Sequence, residues 1–349
     1  MTIDVESLLS DITPEAPCGE DLSYDQAMLL LDNEFRGKPE QQIGDSISEA
    51  VEPNWENVKE MAISLLERSR DLRVIIQLTV ALTELEGVEG LKIGLSLLQQ
   101  SLSRHWEQIH PQLDPEDDND PLERVNIISS ITTPTATLGD PVRFRDRVQG
   151  APLTDSRQLG RFGYRDIMRA QSGATVSEDE GGKAASSSEI EAAFQDTELD
   201  VLVAFYEGIQ QSRETVLTID STLTDLVGVG SAANFEGLLD DLKAIEHELV
   251  ERLRQRGYGV AEDEEASADG QGGATGAALS GEVTSPRDAE LALGKVIRYY
   301  EQNEPSSPVP MLVKVASSMI SKSFVEISSV LPPDTVELII RICSPSEEN

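Results

Sequence analysis

Between Trp55 and Trp106, large apolar residues recur every three or four positions in three consecutive stripes, and no other feature of the sequence restricts the fold so strongly. Trp55, Val58, Ala62, Leu65 and Leu66 share one helical face behind Asn54, a residue suited to cap a helix N-terminus. Leu72, Ile75, Ile76, Thr79, Leu82 and Leu85 repeat the pattern up to Gly87, which is suited to end it, and Leu91, Leu95, Leu98, Leu102 and Trp106 follow at once. Connections this short leave no room for crossovers. The three helices are therefore expected to pack antiparallel, in a bundle or an α-solenoid-like array. Each hides about four or five large side chains at ~1.5 to 3 kcal/mol apiece, which anchors the fold here.

The helical period breaks twice, at Gln171 to Ser188 (QSGATVSEDEGGKAASSS) and again in a Gly-, Ala- and acid-rich run from Ala261 to Pro286. Such compositions bury too little apolar surface to offset chain entropy and are read as flexible linkers. The resulting division is an N-terminal helical domain over 1–170, a linker over 171–188, a helical-hairpin middle domain over 189–257, a disordered linker over 258–286 and a small helical domain over 287–349. In the middle block one helix is expected from Ile190 to about Arg213. A second is expected from Asn234 to about Gln255, with the stripe Leu238, Leu242, Ile245, Leu249 and Leu253. The last block is near the lower size limit for independent folding, so further subunits are expected to help stabilise it.

One basic tract interrupts the helices: Arg143, Arg145, Arg147, Arg157, Arg161, Arg165 and Arg169 place seven arginines within 27 residues. VRFRDRV alternates with period two, and Gly160 and Gly163 flank Phe162, so a short β-hairpin is expected around residues 142–165. The fold class expected is mainly α, as multi-domain helical bundles with that one hairpin. Two roles stay open for the arginines. They can pair internally with Asp140, Asp146, Asp155 and Asp166, or they can present a docking face to an acidic partner, with Arg143, Arg145, Arg147, Arg161 and Arg165 as the candidates.

Charge narrows the partners. Against 28 Lys and Arg the chain carries 64 Asp and Glu, a formal charge of −36, which repels phosphate backbones and anionic headgroups at long range. Nucleic acid and direct membrane insertion are thus not expected, and no run approaches the ~20 apolar residues of a membrane span. Cys18 and Cys343 lie far apart with no CxxC or Cys/His cluster, and Met1 to Glu6 is acidic where a signal peptide is basic, so a cytoplasmic protein is expected.

No catalytic, cofactor or metal signature is assigned. Asp114 to Glu123 (DPEDDNDPLE) resembles a calcium loop, but positions six and twelve are Asn119 and Val125 where the turn Gly and bidentate Glu are needed. It reads as a solvated acidic loop, or, through Asp117 and Asp118, as a docking surface for basic residues of a partner. Gly228, Gly230 and Ala233 satisfy GxGxxA without a βαβ context, and His105 and His110 are five apart, off the i, i+4 spacing of a zinc pair. No enzyme is expected.

Six ordered segments carry a resemblance: ITPEAPCGEDLSYD (Ile12 to Asp25), RGKPEQQ (Arg36 to Gln42), EPNW (Glu52 to Trp55), SRDLRV (Ser69 to Val74), HWEQIHPQLDPEDDNDP (His105 to Pro121) and APLTDSRQLGRFGYRDI (Ala151 to Ile167). Together they resemble the ImpA-type N-terminal domain of TssA proteins of the bacterial type VI secretion system. NEPSSPVPMLV (Asn303 to Val313) and SFVEISSVLPPD (Ser323 to Asp334) are similar to the C-terminal domain of the shorter, baseplate-like TssA branch. The resemblance implies a non-enzymatic assembly factor that forms a high-order homo-oligomeric ring and contacts baseplate, sheath and tube proteins, and in some branches membrane-complex subunits. The alternative is a soluble helical adaptor for an unrelated complex. Candidate oligomerisation residues are Tyr299, Tyr300, Glu304, Pro305, Ser306, Ser307, Pro308, Pro310, Leu312 and Phe324, where the prolines forbid a continuous helix and set an elbow. Some long TssA proteins carry extra C-terminal regions that this chain lacks, which favours a baseplate role over capping a growing sheath.

Overall fold

The computed structural model describes residues 4–38, 41–43, 46–48, 51–172 and 185–258, and the isolated positions Leu293, Val296, Ile297, Pro308 to Pro310, Val313 and Lys314. In chain order it places helices α1 (Val5–Leu9) and α2 (Gln26–Arg36), a strand pair β1 (Gln41–Ile43) and β2 (Ser46–Ser48), then α3 (Trp55–Leu66), α4 (Leu72–Glu86) and α5 (Val88–His105). After these come α6 (Leu122–Ser129), α7 (Phe144–Gly150), α8 (Tyr164–Ser172), α9 (Ser187–Asp196), α10 (Leu199–Val227) and α11 (Glu236–Gln255). The fold is mainly helical, as its sequence implies.

Local chemistry sets the three central helices where the apolar stripes place them. The Asn54 side chain accepts the Asn57 N–H at 3.2 Å at the start of α3, and Asp71 accepts the Arg73 N–H at 2.9 Å at the start of α4. Gly87 sits at φ 60°, a left-handed turn that lets α4 and α5 meet within one residue. Helix α4 is buried without interruption from Val74 to Thr83. Its two threonines return their hydroxyls to the helix, Thr79 to the Ile75 carbonyl and Thr83 to the Thr79 carbonyl, both at 2.8 Å, so their burial leaves no orphaned hydroxyl. Opposite them lies Gly94 of α5, where a Cβ would stand 2.7 Å from the Thr79 Cα.

The same small-residue device joins α10 to α5. A Cβ on Gly208 would meet the Val88 Cγ1 at 2.7 Å, and α10 buries Leu202, Ile209, Val216, Ile219 and Leu223, while α11 contributes the expected stripe Leu238, Leu242, Ile245, Leu249 and Leu253. These side chains belong to the same core cluster as those of α3 to α5. The middle domain expected over 189–257 is thus corrected: its helices complete the N-terminal core, in one compact unit. The expected helix from Ile190 to about Arg213 is also two helices, because Thr197 leaves the helical region at ψ 132°. Its hydroxyl donates to the Ala193 carbonyl at 2.8 Å and accepts the Asp155 N–H at 3.0 Å, a long-range contact with no trace in the local pattern.

The hairpin expected around 142–165 is corrected as well. From Phe144 the VRFRDRV segment enters α7, with Phe144 and Val148 buried on one face, and Tyr164 opens α8. Between them the chain folds back through isolated bridges, Pro152 to Gly163 and Ser156 to Gly160. The strands that do form, β1 and β2, pair antiparallel from Gln41 opposite Ser48 to Ile43 opposite Ser46.

Two buried arginines tie the early loops down. Arg124 donates through Nε to the Pro111 carbonyl at 2.6 Å and through Nη2 to the Ile109 carbonyl at 2.7 Å, bonds the Trp106 carbonyl through Nη1, and lies 4.9 Å from the centre of the Trp106 ring. Arg70 bonds the Leu66 carbonyl and reaches the Ser10 carbonyl at 2.6 Å. Burial lowers the pKa of both guanidiniums, which face backbone carbonyls where a carboxylate would be usual. In the second compact unit Leu293, Val296, Ile297, Val309, Pro310, Val313 and Lys314 are helical and Pro308 lies in a bend, with Ile297 and Pro310 buried and Pro308 exposed. Of the linker expected over 171–188, Gln171 and Ser172 end α8 and Ser187 and Ser188 open α9, while residues 173–184, 259–286 and the rest of 287–349 lie outside the described residues.

Candidate docking surface

Helices α7 and α8 carry most of the basic tract, and internal pairing takes a large share of it. Arg145 Nε donates to Asp241 Oδ2 at 2.6 Å, and Gln149 Nε2 donates to the other oxygen of the same carboxylate at 2.9 Å. A Cβ on Gly237 would meet Arg145 Nη1 at 2.5 Å, so this guanidinium lies across the first turn of α11. Arg147 donates to Glu84 at 2.6 Å and to the Val142 carbonyl at 3.1 Å, and its guanidinium lies 4.4 Å from the Trp55 ring centre, a cation–π contact. Arg161 pairs with Asp155 at 2.9 Å with both side chains largely exposed, an arrangement worth little. Burial raises the Tyr164 phenol at the start of α8, with the Glu248 and Asp241 carboxylates adding to it.

Arg143 and Arg165 differ from the others. Arg143 is exposed and stands in the left-handed region at φ 44°, its backbone N–H and that of Val142 held by the Asp140 carboxylate at 3.1 and 2.9 Å. Arg165 crosses the end of α7, so close that a Cβ on Gly150 would meet its Nη2 at 2.9 Å, and its Nε is buried without a hydrogen-bond acceptor. Neither side chain makes an ion pair among the described residues. Together with Trp55, Arg147 and Pro152 they line a cavity of about 280 Å³.

The acidic loop is arranged for capping. Asp114 accepts the Glu116 N–H at 2.8 Å and Asp120 the Leu122 N–H at 2.9 Å, while Asp117 closes a short 3-10 turn and Asp118 is exposed in the left-handed region. No group of three or more His, Cys, Asp or Glu residues that could hold a metal occurs among the described residues. His105 and His110 turn away from each other, their Nε2 atoms reaching the Leu9 carbonyl at 2.9 Å and the Gly19 carbonyl at 3.2 Å. Gly228, Gly230 and Ala233 lie in the loop between α10 and α11. Burial pushes the Cys18 thiol up to about 11, which leaves it unreactive at neutral pH. No helix among the described residues is long and apolar enough to cross a membrane.

Sequence reasoning located the arginines but not the cavity, because Trp55, Glu84 and Arg165 come together only through the packing of α7 on α4. Of the candidate oligomerisation residues, Pro308 and Pro310 are described, and Tyr299, Tyr300, Glu304, Pro305, Ser306, Ser307, Leu312 and Phe324 lie outside the described residues.

Comparison with known proteins places this geometry. Residues 9–133 match the family described as ImpA, N-terminal, type VI secretion system. Over 356 residues the chain is 33% identical to the type VI secretion system component TssA1 of Pseudomonas aeruginosa, covering 99% of this chain and 100% of that protein. The solved N-terminal domain of the TssA component from Burkholderia cenocepacia, which includes the conserved ImpA_N region, is similar in fold with a TM-score of 0.60 and 22% identity, over 74% of this chain and 97% of that one.

Proposed function

We infer the function of this chain from one premise: it belongs to the TssA family of type VI secretion system components. It is proposed to act as a non-enzymatic assembly component, a homo-oligomeric scaffold that contacts baseplate, sheath and tube proteins and so promotes tail assembly, in the cytoplasm. The observation that carries this reading is a likeness to TssA1 that runs through the whole of both chains, the C-terminal third included. Oligomerisation is assigned to residues 287–349, with the Pro305, Pro308 and Pro310 elbow setting the angle between its helical stripes and Tyr299, Tyr300, Leu312 and Phe324 as the apolar contacts. A block of this size buries too little surface alone, and association with its copies supplies the missing burial. A ring then turns weak individual contacts into avid ones, over a reach set by the Gly-rich segment before it.

The helical unit up to Tyr258 is proposed as the partner-facing part, through Arg143 and Arg165 on one side and the exposed Asp118 loop on another. The other basic-tract candidates, Arg145, Arg147 and Arg161, already hold internal carboxylates. Light scattering coupled to size-exclusion chromatography tests the scaffold. The full chain is expected at a high multiple of 38.0 kDa, and a chain truncated after Pro286 at one copy with its helical content otherwise kept. A full chain that runs as a monomer at micromolar concentration refutes the ring, and a truncated chain that stays oligomeric moves the contact to another part of the molecule.

A further inference from the structure

We propose that the cavity between α7, α8 and the start of α3 is a receptor for one acidic side chain, a glutamate or aspartate carboxylate presented by a protein partner. The proposal rests on the reading of this chain as an assembly component, and it deepens that reading by naming what the surface recognises.

The charge arrangement in the cavity leads to this class. Three arginines, Arg143, Arg147 and Arg165, share the walls with three acids, Glu52, Glu84 and Asp146. Arg147 is committed to Glu84 and to the Trp55 ring. Asp146 holds the Ala136 N–H with both its oxygens, at 3.3 and 3.2 Å. Accepting an amide leaves the Asp146 charge in place, so Glu52 and Asp146 both stand against Arg143 and Arg165, neither of which makes an ion pair among the described residues. A guanidinium fork matches a carboxylate with two parallel hydrogen bonds, and neither of these two forks holds a carboxylate among the described residues. A second, independent sign is the exposed Arg143, which lines the cavity from a backbone in the left-handed region whose N–H the Asp140 carboxylate accepts. Such unusual conformations persist where the surroundings impose them, and they gather at binding sites.

The acids decide which anion fits. With three carboxylates on the walls and a chain charge of −36, a doubly charged phosphate meets more repulsion than a single carboxylate does. The indole of Trp55 and the ring of Pro152 offer apolar wall to a short aliphatic stem. A carboxylate on one or two methylenes satisfies both conditions.

The test titrates the full-length chain with three probes: a blocked tripeptide with a central glutamate, its glutamine counterpart, and inorganic phosphate. Heat of binding and tryptophan fluorescence, to which Trp55 and Trp106 both contribute, are followed together. The glutamate peptide is expected to saturate with a dissociation constant on the order of 1 mM and to bind at least about tenfold more tightly than the glutamine peptide. Arg165→Met abolishes binding, Arg165→Lys weakens it, and Glu52→Gln, an exposed change that leaves the core untouched, strengthens it several-fold. A glutamine peptide that binds equally, phosphate that binds more tightly than glutamate, a Glu52→Gln variant that binds more weakly, or no saturable signal on the order of 10 mM each overturns the proposal. Thermal melting of each variant separates lost binding from lost fold, and Glu52→Gln decides the matter if both Arg165 variants unfold. Because the titration does not read subunit number, a silent cavity in an intact ring sinks only this inference, and a binding-competent monomer sinks only the scaffold.

Discussion

Arg145 Nε and Asp241 Oδ2 lie 2.6 Å apart, joining α7 to α11 across 96 positions of sequence. Both side chains are largely withdrawn from solvent, 16% and 11% exposed, so each neutralises a charge that would otherwise be poorly solvated. Truncation of either partner is expected to destabilise the chain by about 1.5 to 3 kcal/mol, the range for a hydrogen bond to a charged group. In a double-mutant cycle by urea denaturation, Arg145→Ala combined with Asp241→Ala is expected to cost clearly less than the sum of the two. Additive losses would mean that the pair does not couple.

Arg143 and Arg147 lie four residues apart on the sequence and are expected to respond in opposite ways to charge reversal. Arg147→Glu removes the Glu84 pair and the contact with Trp55, and it sets two carboxylates side by side, so the melting temperature is expected to fall by several degrees. Arg143→Glu touches neither core nor ion pair, and its melting temperature is expected to stay within about a degree of the parent. Equal losses in the two variants would show that Arg143 is structural.

Asp25 accepts hydrogen bonds from Arg68 at 2.7 Å and from the Ala27 N–H at 2.8 Å, and these hold its carboxyl below the ordinary range. A depressed folded-state pKa contributes stability that is complete above the unfolded value and is lost as pH falls through the folded one. Asp25→Asn is therefore expected to lower the urea midpoint at about pH 7, and the difference from the parent is expected to vanish toward about pH 2. A difference that persists in acid would point to packing in place of charge.

Cys18 sits in the core with its thiol raised to about 11 by burial, so at about pH 8 almost no thiolate is present. Iodoacetamide followed by peptide mapping is expected to leave Cys18 unlabelled in the native chain and fully labelled in urea. Rapid native labelling would mean that the Ile12 to Leu22 loop opens.

Not all of the fold was legible in advance, and the cases divide on physical grounds. Helices α3, α4 and α5 follow from a long apolar period and from caps such as Asn54 and Asp71, signals that act within a few residues. The error at α7 has a specific cause: Phe144 and Val148 are four apart, a spacing that puts two residues on one face of a helix and equally on one face of a strand, so the period could not decide. The break at Thr197 was invisible because its stabilising partner, the Asp155 amide, lies 42 residues earlier. The supposed boundary of a middle domain was a reading of composition, and composition says nothing about whether Gly208 will seat on Val88.

For the docking surface, the run of arginines was evident from the sequence, and which of them are occupied was not. Arg145 and Arg161 look alike in a row of residues. One meets a carboxylate 96 positions away inside the molecule, and the other meets a neighbour six positions away in water. The ordered motifs of the N-terminal part marked the family, yet Arg70, Asp71 and His110 turn out to hold loops to helices through backbone atoms. The sequence alone determined helical class, chain charge and kinship, because these depend on local period, on sums and on ordered identity. Tertiary packing decided which guanidiniums are satisfied and where a cavity remains, because pairing energies are set by distance and solvent exposure, and both exist only once α7 and α11 have met.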